Sequence, residues 1–244
     1  IKRNEEMKKL GNKEMKKLGN EEISDPSIHS KIRSREAAIV ALGKVIEKAR
    51  KYGTCMYVLH ASTKEEVEMV RAAKKEGLSL FLETTPHHLF LSEDDYARLG
   101  TKAQMNPPLR TKADQAALWA GIKDGTIDTI GTDHAPHTLV EKAKPYGEAP
   151  SGVPGIETLL PLLLTAVSEK KINLEDVVRI TKTNAEAIFR LPSNEDIVLV
   201  DLKKTKLVRD EDMKTKCGWS PFAGQTLTGW PTHTICQEKI YKCS

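Results

Sequence analysis

The chain has 244 residues, with 38 Lys plus Arg against 34 Asp plus Glu and a net charge of +4. So small an excess, spread without a basic block, argues against nucleic acid as a partner, and the lack of any long uncharged apolar run argues against a membrane span. Four cysteines without CxxC spacing suggest neither a disulfide scaffold nor a Cys-type zinc site, which leaves a soluble, cytoplasmic α/β protein as the expectation.

Residues 1–20 hold a short tandem duplication, EEMKKLGN followed by KEMKKLGN, each copy a charged helical stretch ending in a Gly-Asn cap. Two copies are too few for a solenoid, and no apolar core marks a signal peptide. From Ser34 the pattern becomes regular. Ile39, Leu42, Val45, Ile46 and Ala49 form one apolar stripe ending near Gly53, which predicts a helix. Cys55 to Leu59 reads as a buried strand running into His60, and Thr63 opens an amphipathic helix that closes at Gly77. Leu78 to Leu82 predicts a second strand, leading into Glu83-Thr84-Thr85-Pro86-His87-His88. A polar helix near 92–99, a brief extended segment at Ala103 to Met105 and a helix from Thr111 to Lys123 follow. Thr129 to Thr132 is a third strand, with Asp133 at its end. The Pro- and Gly-rich loop 134–155 is long enough to be functional.

Glu157 to Val167 is a strongly apolar helix, with Glu157 placed to complement its dipole. Leu174 to Leu191 predicts a helix pair. After Pro192 the period turns to alternation. Ile197 to Asp201 reads as a strand, with more at Thr226-Leu227 and His233 to Tyr241, so a small β module follows the α/β body. About four strand-plus-helix units are present, whereas a closed eight-unit barrel takes roughly 250 residues by itself. The expectation is therefore an open sheet, or a barrel whose N-terminal half is missing.

Reactive side chains in such folds sit at the C-terminal ends of strands. Three segments offer them: YVLHAST with His60, TIGTDHAPH with Asp133, His134 and His137, and QMNPPLR with Asn106 and Arg110. An imidazole and a carboxylate from separate strand tips suit zinc, and a metal-activated water next to Asp133 would have a proton acceptor at hand. Asn106 and His137 are placed to hold a polar substrate. Each residue also has a plain reading: a hydrogen-bonded structural His60, a turn or cap at Asp133, a turn residue at Asn106. His87 and His88 face opposite ways on extended backbone and are read as packing or supporting residues. His29 and His233 fall outside the strand-end pattern and are read as structural.

Taken in order, HAST, TPHH, MNPPLR, TDHAPH, EAPSGVPGIET and TNAEAIF resemble the dihydroorotase family of cyclic amidohydrolases, from about Ile28 to Leu191, with a looser continuation through SPFAGQTLTGW. The resemblance implies a (β/α)8 TIM-type barrel over residues 1–191 and a segment of a small β-sandwich over 192–244. It implies one or two Zn2+ ions, His60 and Asp133 as metal ligands, and Asp133 also as general acid/base. Asn106, His137, Ser151 and Gly152 would contact substrate, the last two through backbone groups, although the family usually carries an aromatic residue where Ser151 stands. The implied reaction is the reversible cyclisation of N-carbamoyl-L-aspartate to dihydroorotate in pyrimidine biosynthesis, and the implied partners are that small molecule and a second copy or a pathway enzyme. The family's His-x-His, its bridging residue and its strand-five His have no counterpart, which matches a missing N-terminal half. A non-catalytic scaffold and a sister hydantoinase- or allantoinase-like amidase are the alternatives.

Overall fold

The structure is a computed structural model that describes residues 25–243; the tandem repeat at 5–20 lies outside them. A short helix, α1 (His29–Ile32), precedes α2 (Arg35–Tyr52), which buries Leu42, Ile46 and Ala49 at helical spacing. Gly53 ends α2 in the left-handed region, φ 62°, and returns its N–H to the Ala49 carbonyl. After β1 (Met56–Val58), Thr63 and Glu66 cap α3 (Lys64–Lys75) reciprocally, side chain to backbone in both directions. The end of α3 explains a shifted strand. Gly77 N–H donates to Lys74 O and Leu78 N–H to Ala73 O, a Schellman closure that consumes Leu78. The strand predicted from Leu78 therefore starts later, as β2 (Leu80–Thr84).

Beyond β2 come α4 (Pro86–Phe90), α5 (Tyr96–Leu99), α6 (Lys112–Lys123) and β3 (Thr129–Ile130). Of the segment predicted as extended at Ala103 to Met105, Ala103 ends a 3-10 turn that starts at Gly100, while Gln104 is extended, at φ −76° and ψ 115°, without pairing as a strand. The three strands are parallel in the order β1-β2-β3, with Val58 opposite Leu82 and Glu83 opposite Thr129. Leu80, Leu82, Val67, Val70, Leu118, Ile122, Ile127 and Leu163 are buried in one apolar cluster with α2. Tyr57, Phe81 and Glu83 share the opposite face of the sheet and are only half-buried.

The long loop carries one turn, α7 (Leu139–Lys142), and leads to α8 (Ile156–Ser168). The expected helix pair is one interrupted rod: α9 (Leu174–Val178), a π-helical stretch at Arg179–Thr183, then α10 (Asn184–Phe189). A second, antiparallel sheet joins β4 (Ile197–Leu207), β5 (Thr226–Cys236) and β6 (Lys239–Lys242). The stretch read as one strand over His233 to Tyr241 folds back on Gln237 and Glu238, at φ 47° and 64°, a two-residue turn without the Asn-Gly that would have announced it. Alternation in β4 implied a buried face, yet Ile197 and Leu199 stand 50% and 46% exposed.

β5 is fastened to α8. Thr165 Oγ1 donates to Thr228 O at 3.1 Å and accepts from Thr228 N–H at 2.9 Å. Gly229 lies at φ 93°, where a Cβ would come within 2.5 Å of Leu164 Cβ. Gly229→Ala combines left-handed strain with a clash against a helix, and about 1–3 kcal/mol of destabilisation is expected. A drop in the urea midpoint at unchanged slope checks it. Below this contact lies a second apolar cluster in which Trp219, Phe222 and Leu227 meet Leu91, Met105, Leu109 and Val153.

Candidate active site at the strand tips

His60 follows β1 by two residues and Asp133 follows β3 by three, so both stand at the carboxyl edge of the parallel sheet, with β2 between them. Both have left-handed backbone, φ 41° and 44°. Such a conformation in a non-glycine residue costs of order 1–3 kcal/mol and clusters at functional sites. The sheet holds them there. Ala61 N–H donates to Glu83 O at 2.7 Å, and Gly131 N–H donates to Thr84 O at 3.0 Å.

Glu83, which the sequence did not single out, ties these tips together. Its carboxylate accepts from the Tyr57 hydroxyl at 2.8 Å and from His60 N–H at 3.4 Å, and Tyr57 also meets Thr129 Oγ1 at 2.5 Å. The carboxyl group lies against Gly131, where a Cβ would fall 2.6 Å from it. Burial, then the facing Glu83 carboxylate, keep the Tyr57 phenol protonated well above its ordinary range, against the pull of the Thr129 bond. The hydroxyl therefore remains a donor to Glu83. No signal within one strand marks this set, because it exists only through the register of three.

His87 and His88 are not on extended backbone. They occupy the first turn of α4, their rings 4.5 Å apart and both buried. Burial is the main cause that pushes the His88 pKa down to about 3. As a neutral ring His88 accepts from Thr85 Oγ1 at 2.8 Å and donates through Nε2 to Pro107 O at 3.1 Å, so it carries the Asn106–Pro107 turn. His87 Nε2 is buried without a hydrogen-bond partner, and burial with repulsion from His88 and His60 holds this ring neutral.

Asn106 is exposed at the rim. His29, expected to be merely structural, supports it: Nε2 donates to Met105 O at 2.9 Å and to Asn106 Oδ1 at 3.1 Å, while Nδ1 accepts from Tyr146 Oη at 3.0 Å. Burial lowers the His29 pKa as well, against the bond to Met105. The three buried histidines have a common consequence. A histidine kept neutral in the fold must charge when the chain unfolds in acid, so stability is present above the ordinary value of 6.5 and is lost as pH falls below it. For His88 the loss runs from 6.5 down to about 3, at up to about 1.4 kcal/mol per pH unit. Denaturant titrations of the protein between pH 7 and 4 are expected to show this slope, and His88→Gln is expected to flatten it.

His137, Ser151 and Gly152 come together on the other side of the rim. His137 Nε2 donates to Ser151 O at 3.2 Å, and His137 O accepts from Trp219 Nε1 at 2.7 Å. Gly152 has φ 135°, with Ala135 O only 2.6 Å from where a Cβ would be. Its N–H donates to Gln104 O and its carbonyl accepts from Lys142 Nζ, so Gly152 contributes a backbone shape rather than the free backbone groups expected of it. Arg110 is buried with Nη1 on Ser30 O, and His134 Nδ1 accepts from Gly155 N–H; both serve the frame. Glu157 does more than complement a dipole, since its carboxylate accepts from Lys214 N–H and Thr215 N–H.

Three parallel strands with their helices, an imidazole and a carboxylate at the carboxyl tips, and a small antiparallel sheet joined to them match about half of the barrel fold of the cyclic amidohydrolases. In agreement, the structure superposes on the L-hydantoinase (dihydropyrimidinase) of Arthrobacter aurescens with TM-score 0.89 and 26% identity, covering 96% of this chain and 54% of that one. Within that class the chain is similar in sequence to dihydroorotases: it is 41% identical over 212 residues to the dihydroorotase of Carboxydothermus hydrogenoformans, covering 83% of this chain and 49% of that protein. An inactive dihydroorotase-like domain of a CAD-like multifunctional protein from Chaetomium thermophilum matches with TM-score 0.65 and 28% identity, over 82% of this chain and 54% of that one. No protein-family model matches. The chain spans about half the length of the curated relatives it matches.

Proposed function

We propose that this chain forms the C-terminal share of a zinc-dependent dihydroorotase, which interconverts N-carbamoyl-L-aspartate and dihydroorotate in pyrimidine biosynthesis. The observation that carries the reading is the pair of strained tips, His60 and Asp133, on either side of β2. An imidazole nitrogen and a carboxylate oxygen are donors that zinc accepts. Two are fewer than it needs, and among the described residues no group of three or more His, Cys, Asp or Glu is placed to hold a metal. In this proposal the other ligands, for one or two ions, come from the half of the family sequence that this chain does not match.

A bound zinc would polarise the scissile carbonyl and acidify a water. The chain's own residues do the rest. In the hydrolytic direction Asp133 takes the proton of the attacking water and delivers it to the ring nitrogen as the C–N bond breaks; in cyclisation the same proton travels back. Asn106, backed by His29, and His137, backed by Ser151 O and Trp219, bind the polar substrate from two sides. Residues 1–191 would be the barrel share and 192–244 the β-sandwich share, in a cytoplasmic enzyme that forms homo-oligomers or joins pathway enzymes. Full-length protein is expected to cyclise carbamoyl-aspartate, to lose the activity to a chelator and to regain it with zinc. Absence of turnover by the zinc-replete protein ends the reading.

A second reading, a non-catalytic partner within a pyrimidine-pathway assembly, draws support from the likeness to the inactive Chaetomium domain. Zinc analysis of the intact protein separates the two, since only the enzyme requires stoichiometric metal. A sister amidase acting on hydantoin-like rings is less well supported, at 26% identity against 41%.

A further inference from the structure

Lys142, at the end of α7, is fully buried although the turn that carries it is open to solvent, with Val140 78% exposed. Its Nζ donates to three backbone carbonyls: Gln104 O at 3.0 Å, Pro150 O at 2.8 Å and Gly152 O at 3.0 Å. An ammonium has three N–H donors, and here all three are spent on carbonyls from two separate loops. One loop carries Asn106 two residues past Gln104; the other carries Ser151 and Gly152. The seam has further stitches. Gln104 Nε2 donates to Ala149 O at 2.9 Å and to Ser151 Oγ at 3.2 Å, and Gly152 N–H returns to Gln104 O at 2.9 Å. Thr101 Oγ1 donates to the carbonyl of Lys142 itself, anchoring the lysine backbone to the same side.

Burial alone pushes the Lys142 pKa down to about 8. A charge kept dry at such a place must be held by the carbonyls it reaches. Replacing it strands Pro150 O and Gly152 O and leaves Gln104 O with the Gly152 N–H alone, and the loops would then shift apart to reach water. We propose that Lys142 is a positioning residue that fixes the spacing between the Asn106 loop and the Ser151–Gly152 loop, and so governs how tightly substrate is held. The catalytic side of this assignment rests on the dihydroorotase reading; the clamp itself does not.

The test uses full-length Lys142→Met, nearly the same shape without the donors. Expected are a KM for carbamoyl-aspartate raised about tenfold or more with kcat within about threefold, unchanged zinc content, and amide hydrogen exchange at Gly152 faster by about tenfold or more. If the wild-type protein does not turn over, the dihydroorotase reading fails and the exchange arm alone decides the clamp. Unchanged exchange at Gly152 overturns the proposal, and so does a loss confined to kcat. Lys142→Gln, which retains two N–H donors, is expected to lie between the wild type and Lys142→Met. If both variants fail to fold at low temperature, Lys142 is a residue of the core and the positioning role is overturned.

Discussion

Asp133→Asn in the zinc-replete, full-length protein is expected to lower carbamoyl-aspartate turnover by about 100-fold or more, the lower end of what a positioned acid/base supplies. The substitution is unusually clean at this site. Asp133 has φ 44°, and Asn is among the few residues that enter the left-handed region readily. The amide has nearly the volume of the carboxylate, and position 133 is exposed, so no core is disturbed. What changes is chemistry: the amide cannot take a proton from water, and it brings no negative charge to a metal. Thermal unfolding of the variant should stay close to that of the wild type, whereas the rate should collapse. A loss smaller than tenfold contradicts the role given to Asp133, even if the protein proves to be a dihydroorotase.

The contrast with Gly131 sharpens the point. Gly131 lies two residues before Asp133, under the Glu83 carboxylate, so the chain there is pinned by packing against β2 and has little room to relax. Asp133 is thus presented from a fixed strand end, which is what the acid/base role proposed for it requires.

The tips were legible because an apolar run that stops at a polar residue marks a strand end, and His60 and Asp133 both do this. The helices were legible from end signals: Thr63 with Glu66 at one end of α3, Gly53 at the end of α2. The supports were not. The Tyr57, Glu83 and Thr129 network joins residues 26 and 46 positions along the chain from Glu83, and strand order must be known before they meet. His29 precedes Asn106 by 77 residues and sits on a four-residue helix, too short to be read from periodicity. His87 and His88 depart from the extended backbone that the sequence predicts because Thr85 caps, and Pro86 opens, a helix directly after β2. Lys142, in Leu-Val-Glu-Lys beside exposed apolar residues, has the pattern of a surface turn, and only the carbonyls converging from two loops reveal it.

Trp219→Ala is expected to be the most damaging single change for stability. Trp219 is 0% exposed and packs in the cluster that joins the β-rich C-terminal segment to Leu91, Tyr96, Met105 and Val153. Emptying so large a site costs about 3–5 kcal/mol, and at roughly 2–4 °C per kcal/mol in a chain of this size the melting point falls by about 10 °C. Trp219→Phe separates this packing from a second role. Phenylalanine refills most of the cavity but leaves His137 O without its 2.7 Å donor, a loss of about 1 kcal/mol in stability. Because His137 faces Ser151 O on its other side, the freed carbonyl loosens the substrate rim while the core survives. The phenylalanine variant should therefore melt near the wild type yet bind carbamoyl-aspartate more weakly, by about three- to tenfold in KM. An unchanged KM in Trp219→Phe would confine Trp219 to the core and leave His137 oriented by Ser151 alone.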